Sequence, residues 1–237
     1  MYSFTELGDG HYWVNEPGIV IDKPIRFIGD ENNPANVVVE MSGSVRWTAK
    51  GGWMEGITFR RPKMASSGIL PSFPMLEVKE YGKIDMIRNV FDNDGSTGPV
   101  ANISGGFGHK GKWRDVVFRN GGSAGGIHID GETIKVKLIG CTIKGCQGDG
   151  LVSSNKAKFK FTECTVENNL GYGICLESAG CQAELYESCF KNNTKGIIKK
   201  VPHCIVTSRS NIAFLPTNVV IGKQIPGFKL TTVQLQK

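Results

Sequence analysis

The stretch VENNLGYGICLE at residues 166–177 decides the fold, because its pattern recurs along the chain. It contains two asparagines, a glycine-rich turn and then a segment of alternating polarity. Equivalent segments follow one another at intervals of 27, 25, 23 and 24 residues. They begin at Phe91, Phe118, Ile143, Val166 and Phe190. A period of this length is typical of a solenoid, in which each repeat buries its apolar side against its neighbours.

Each repeat also contains a strand of alternating polarity shortly before its start, such as the segment with Ile134, Val136 and Leu138. Apolar residues at every second position mark a half-buried strand. Three short strands per repeat predict an all-β fold, a single-stranded right-handed parallel β-helix of about six or seven coils with capped ends. We expect one domain over residues 1–237. It divides into 1–50 as an N-terminal coil and cap, 51–204 as regular coils, and 205–237 as a C-terminal coil and cap.

The asparagines of the repeat are predicted to stack at one corner, where the chain passes from one sheet to the next. Asparagine tolerates left-handed backbone angles, and its amide bonds to neighbouring backbone groups. A column of such amides forms a ladder from coil to coil. We expect Asn168 to be buried in this ladder, so that Asn168→Ala should destabilise the fold by about 1–3 kcal/mol. The predicted ladder contains Asn93, Asn120, Asn168 and Asn192, with Gly145 in the remaining coil.

Three segments carry a resemblance to a known superfamily. PGIVIDKPIRFIGD (17–30) resembles the first coil of pectin-lyase-like β-helix proteins. CTIKGCQGDGLVSS (141–154) and CTVENNLGYGICLE (164–177) resemble short β-helix repeats, and are most similar to those of the non-catalytic β-helix domains of F-box-only and SHC-binding proteins. The resemblance covers nearly the whole chain and implies the fold. It does not imply one function, because the superfamily contains lyases, hydrolases, epimerases and binding domains.

A polysaccharide lyase or epimerase is the alternative function that the resemblance implies. Such lyases hold calcium with carboxylates from adjacent coils, because calcium takes six to eight oxygen ligands. His128, Asp130 and Asp149 are weak candidates for acid–base chemistry, since a solvated histidine and an Asp-Gly turn explain them more simply. We therefore expect no catalytic site, no metal and no cofactor. One predicted outward column reads Glu77, Asn102, His128, Val152, Cys175 and Ile198, which is not a carboxylate cluster.

Six lysines are predicted to point outward from one sheet on three consecutive coils. Like charges on neighbouring strands repel one another. Two interpretations remain open: a solvated face, or a site for an acidic protein segment or another polyanion. No aromatic column accompanies the lysines, which disfavours base stacking and sequence-specific nucleic-acid binding. The six are Lys110, Lys112, Lys135, Lys137, Lys158 and Lys160, and Asp85 and Glu184 bound them.

A second outward column of the predicted fold is apolar, with Val152, Cys175 and Ile198. An exposed apolar patch marks a partner site or a covered surface. We expect the C-terminal segment 205–237 to fold back and cover it.

The composition bounds the remaining possibilities. The net charge of +6 permits an acidic partner but does not require one. All seven cysteines lie in the second half and none forms a C-x-x-C motif, which argues against a disulfide framework or a zinc site. We therefore expect reduced thiols and an intracellular location, cytoplasmic or nuclear. No apolar run reaches the roughly 18–20 residues of a membrane span, so no membrane partner is expected. The oligomeric state has no signal in the sequence.

Overall fold

The computed structural model describes residues 3–15, 17–62, 71–94, 96–105, 108–209 and 213–215. These residues form 26 β-strands and one short 3-10 helix, Pro34–Asn36. Each strand pairs in parallel with the equivalent strand of the next coil. The molecule is therefore a parallel β-helix, as the repeat predicted.

Three strands make one coil, and the described residues contain eight complete coils. Their strands are β1 (Ser3–Glu6), β2 (Gly10–Val14), β3 (Gly18–Ile21), β4 (Ile25–Ile28), β5 (Val37–Met41), β6 (Ser44–Trp47), β7 (Trp53–Glu55), β8 (Thr58–Arg60), β9 (Leu76–Val78), β10 (Asp85–Ile87), β11 (Val90–Asp92), β12 (Ala101–Ser104), β13 (Gly108–Arg114), β14 (Val117–Arg119), β15 (Ile127–Asp130), β16 (Ile134–Ile139), β17 (Thr142–Lys144), β18 (Leu151–Ser154), β19 (Lys158–Thr162), β20 (Thr165–Glu167), β21 (Tyr172–Leu176), β22 (Gln182–Tyr186), β23 (Cys189–Lys191) and β24 (Gly196–Lys200). Strands β25 (Ile205–Arg209) and β26 (Ala213–Leu215) begin a ninth coil.

The coil count exceeds the predicted six or seven, because residues 1–50 contain two complete coils, β1 to β6. Their strands lack the asparagine and glycine signature, so the sequence repeat did not reveal them. At the other end, β25 and β26 continue the solenoid. Residues 216–237 lie outside the described part of the chain, and so does most of the predicted C-terminal cap.

The strands stack into three sheets. Sheet A contains the first strand of every coil, sheet B the second, and sheet C the third. Sheets A and B have nine strands each, and sheet C has eight. Because side chains alternate across a strand, each sheet sends one set of residues into the core and the other outward. Every outward position therefore belongs to a column that runs along the solenoid.

The core is continuous because similar side chains stack from coil to coil. On sheet B, the rings of Phe59 and Phe91 lie 5.2 Å apart with planes 8° from parallel, and Phe91 and Phe118 lie 5.5 Å apart at 9°. Trp113 packs against Phe118 from sheet A. Aromatic pairs of this kind contribute about 0.5–1.5 kcal/mol beyond simple burial.

A single residue with left-handed backbone forms the corner between sheets A and B. The connection is this short because one positive φ is enough to redirect the strand. The same backbone corner therefore recurs in six successive coils. The corner residues and their φ values are Gly56 (67°), Arg88 (49°), Asp115 (53°), Gly140 (61°), Glu163 (54°) and Glu187 (46°).

The four predicted ladder asparagines do not form one continuous column of amide bonds. Asn93 is buried and donates to the carbonyls of Gly98 and Pro99. Asn120 donates to Asp92, in the preceding coil. The predicted burial of Asn168 is wrong, because Asn168 is exposed and accepts a 3.0 Å bond from the exposed Asn192. Asn120, Asn168 and Asn192 do adopt the left-handed backbone, with φ of 60°, 55° and 54°.

The buried amides lie one residue further along. Asn169 is fully buried, and its Nδ2 donates to Asn193 Oδ1 at 2.8 Å. Asn169 Oδ1 accepts the backbone N–H of Cys146 in the preceding coil. Asn168, which has the left-handed backbone, precedes Asn169 and turns the Asn169 side chain inward. The asparagine that bonds the coils together therefore lies one residue after the asparagine that recurs in the sequence pattern.

Candidate partner-binding face

The three weak catalytic candidates each have a local bonding partner. A ring nitrogen of His128 donates to Ala124 O at 2.6 Å. Asp130 accepts hydrogen bonds from Ser154 and Asn155 at 2.7 and 2.6 Å. Asp149 accepts the backbone N–H of Tyr172 at 2.6 Å, in the turn before β18. Within the described residues, no group of three histidine, cysteine, aspartate or glutamate side chains is placed to hold a metal.

The predicted apolar column on sheet C is wrong in two respects, the position of Ile198 and the exposure of the column. Ile198 aligns with Ile174, which faces the core, and Lys199 takes the outward position beside Cys175. The repeat gains a residue between β21 and β24, which shifts the register by one. The other two members do lie in one outward column, but Val152 is 9% exposed and Cys175 only 1%. Burial, with a smaller contribution from the Asp149 carboxylate, raises the pKa of the Cys175 thiol to about 11.

The C-terminal segment that was predicted to cover this column lies largely outside the described residues. Of the segment 205–237, only 205–209 and 213–215 are described, and they form strands of sheets A and B.

Five of the six predicted lysines form the outer face of sheet A. Lys112, Lys137 and Lys160 align in one column, which continues to Glu184. Lys135 and Lys158 align in the neighbouring column. Lys135 and Lys137 are exposed, and the other three are half-buried. We call these five residues the lysine face.

Lys110 does not belong to the lysine face, which corrects its predicted outward position. A β-bulge between His109 and Gly111 aligns Lys135 with His109 instead. The Lys110 side chain turns inward, is 1% exposed, and donates from Nζ to the carbonyl of Glu80. Burial lowers the pKa of its ammonium group. Only glycine fits at position 111, where φ is +142° and a Cβ would lie 1.7 Å from the carbonyl oxygen of Ile84.

The lysine face differs from sheet B in how its charges are paired. The outer column of sheet B contains three ion pairs, Glu40–Arg60 at 2.6 Å, Asp92–Arg119 at 2.7 Å and Glu167–Lys191 at 2.8 Å. Lys144, between Arg119 and Glu167, is the one further charge of this column in the described residues. None of the five lysines pairs with a carboxylate among the described residues. One solenoid therefore carries a face on which most charges are paired and a face of unpaired cations.

The sequence pattern did not predict three residues that lie around the lysine face. Arg114 adds an exposed cation on the next column of sheet A, between Ile87 and Ile139. The ring of Tyr186 lies under Lys160, with Nζ 4.0 Å from its centroid. Ile205 continues the column of Lys135 and Lys158 two coils beyond Lys158 and is 54% exposed. The register of the columns was the missing information, because these residues lie far apart in sequence.

Acids bound the lysine face at both ends of one column. Asp85 precedes Lys112, and its Oδ1 accepts the backbone N–H of Lys112 at 2.8 Å. Glu184 follows Lys160 in the same column and is exposed. The unpaired positive charge therefore extends over three coils only.

Three parallel sheets that wind around one core define the class of protein as a parallel β-solenoid. Residues 72–215 match the family model described as "Right handed beta helix region", and the chain belongs to this family of right-handed β-helices. Neither the curated proteins nor the solved structures returned a significant match. The finer resemblance to F-box-only and SHC-binding proteins therefore stays a prediction. In the described residues, no helix is long and apolar enough to cross a membrane.

Proposed function

We propose that this right-handed β-helix is a non-catalytic recognition domain that binds an acidic partner on the lysine face. The observation that carries the proposal is the contrast between two faces of one solenoid. Sheet B pairs most of its outer charges within the chain, as in the pair of Arg119 and Asp92. The lysine face leaves five cations without a described acidic partner, although the same stacking geometry would accept one.

The unpaired face carries an electrostatic cost that an acidic partner relieves. Neighbouring coils are about 4.8 Å apart, so lysines in one column have like charges directly opposite. Two unit charges about 5 Å apart in water repel by about 0.8 kcal/mol. Flexible stems let the ammonium groups separate, which keeps the cost low but leaves the net positive potential in place. Carboxylates placed between the columns of Lys137 and Lys158 would contact several cations at once.

The dimensions of the face favour a short acidic segment of a protein. Three coils span about 10 Å across the strands. Asp85 and Glu184 would repel a polyanion that continued along the column. The seven cysteines are all free thiols, which supports the intracellular location in which such a segment would be met.

The test is binding of a labelled polyglutamate peptide of about four residues, which covers the roughly 10 Å of the face at about 3.3 Å per residue. Fluorescence anisotropy is measured over a range of salt concentrations. The double reversal Lys135→Glu/Lys158→Glu is compared with Lys195→Glu/Lys199→Glu, whose lysines are exposed and lie off sheet A. Both variants lower the formal net charge of +6 by four.

The proposal expects salt-sensitive binding that the first variant loses and the control keeps. Exposed charge pairs are screened within about 8 Å at physiological ionic strength, which gives the salt dependence. Equal loss in both variants would show a response to net charge alone and would overturn the proposal. New ultraviolet absorbance from polygalacturonate, as an unsaturated product forms, would favour the lyase alternative.

A further inference from the structure

An apolar position lies in the same column as the lysines of the candidate face. Ile205 on β25 aligns with Gln182, which aligns with Lys158 and then Lys135. It is 54% exposed, although its neighbour Val206 packs against the core. The outer face of sheet A therefore changes from cationic to apolar within two coils.

The charge between these two regions is reversed. Glu184 lies beside Gln182 on β22, at the coil that separates Lys158 from Ile205, and it is exposed. Gln182 is uncharged and half-buried. A carboxylate of a partner is attracted by the lysine coils and repelled at this coil, so the face accepts acids on one side of Glu184 only.

We propose that the partner is an extended acidic peptide with one apolar anchor, which packs on Ile205 while its acidic run contacts the lysine face. This inference rests on the proposed function and specifies its partner. Two coils separate Lys158 from Ile205, which is about 10 Å at one strand spacing per coil. An extended chain covers that distance in about three residues. The anchor therefore follows or precedes the nearest acid by about three residues, and the residues between them are uncharged.

A peptide fits these features better than a nucleic acid does. Single-stranded nucleic acids bind on columns of accessible aromatic rings. The aromatic ring next to the lysine face, that of Tyr186, is half-buried and lies under the Lys160 ammonium group. Protein interfaces combine apolar contacts with a polar rim, which an apolar anchor beside acidic residues would supply.

The test compares three labelled peptides: about four glutamates alone, the same run joined to leucine through two neutral residues, and that sequence reversed, since an extended spacer covers about 10 Å. Anisotropy gives the affinity for the wild-type chain, for Ile205→Ser and for Leu170→Ser. Leu170 is a matched control, because it is 58% exposed in the turn between β20 and β21. Thermal unfolding establishes that each variant is folded.

One of the two leucine peptides is expected to bind about fivefold more tightly than glutamates alone, as partial burial of two aliphatic side chains predicts. Ile205→Ser should remove this gain, and Leu170→Ser should keep it. A gain that survives Ile205→Ser, or no gain in either order, overturns the anchor. If the polyglutamate run still binds through Lys135 and Lys158 in that case, the proposed function stands without it.

A second variant tests the same inference without touching the apolar position. Glu184→Lys extends the cationic column by one coil. It should tighten binding of a peptide that carries glutamates in place of the neutral spacer. Unchanged affinity for that peptide would show that Glu184 does not exclude acids from its coil, which would overturn the neutral spacer. Lysine-dependent binding of a single-stranded oligonucleotide that exceeds binding of every peptide would overturn the peptide as partner.

Discussion

Asn169 and Asn193 are linked by a 2.8 Å hydrogen bond from Nδ2 of the first to Oδ1 of the second, across two successive coils. Asn193 Nδ2 in turn donates to the carbonyl of Val166 at 2.9 Å. Asn169 is fully buried, so its amide replaces the water that these backbone groups would otherwise bind. The pair joins coils at the corner between sheets B and C.

Asn169→Ala should therefore destabilise the fold by about 1–3 kcal/mol, because the buried N–H of Cys146 and the Asn193 amide lose their partner. Asn168→Gly, one residue away and exposed, keeps the left-handed backbone (φ 55°) available and should change the stability by less than about 0.5 kcal/mol. Urea unfolding of both variants gives the comparison. Equal midpoints would contradict the inward position of Asn169, and a lower midpoint for the Asn168 variant would show that the two positions are exchanged.

A buried thiol gives a pH dependence with a definite sign. Burial raises the pKa of Cys146 from about 9 to about 11. Between these values the unfolded chain releases the thiol proton and the folded chain retains it, so the free energy of unfolding falls as pH rises. The full difference is worth about 2–3 kcal/mol.

Cys146→Ala should remove this contribution. The loss of stability between pH 9 and 11 should be smaller in the variant than in the wild-type chain, whatever the variant's stability at neutral pH. Cys189→Ala is the control, because Cys189 is half-buried on the outer side of sheet B. Identical slopes for Cys146→Ala and the wild-type chain would contradict the burial of this thiol.

The β-bulge separates two lysines that look equivalent in the sequence. Lys110→Glu should destabilise by about 3 kcal/mol or more, because it places a carboxylate in a buried site opposite the carbonyl of Glu80. Lys112→Glu should stay within about 0.5 kcal/mol of the wild-type chain, since its side chain reaches solvent and its repulsion from Asp85 is offset by attraction to Lys137. Thermal unfolding at neutral pH measures both. A milder effect at position 110 than at 112 would place Lys110 on the surface after all.

The repeat alone was enough to predict the parallel β-helix, because every coil must present the same alternation to the same core. It was not enough to place individual side chains, because one inserted residue reverses the face of every later residue in the same strand. The flanking glycines of GHKG (108–111) were the available signal for the bulge at Lys110. Ile198 was misplaced because the spacing between repeats changes from 23 to 24 residues. No local sequence pattern indicates the position of Ile205, since only the strand register places it in the same column as Lys158.

One charge reversal on each of two sheets tests how their outer charges are paired. Lys137 lies between Lys112 and Lys160, so Lys137→Glu turns two repulsions into two attractions. At low salt it should stabilise the fold by about 0.2–1 kcal/mol, the range for exposed pairs. Arg60→Glu, in the outer column of sheet B, places a carboxylate between Glu40 and Asp92 and should destabilise by about 1–3 kcal/mol. Urea unfolding is measured at low salt and at about 1 M salt, where the screening length is about 3 Å; the high salt should abolish the first effect and only reduce the second. If Lys137→Glu destabilises at low salt, the lysine face has no uncompensated charge, and the electrostatic basis for an acidic partner is lost.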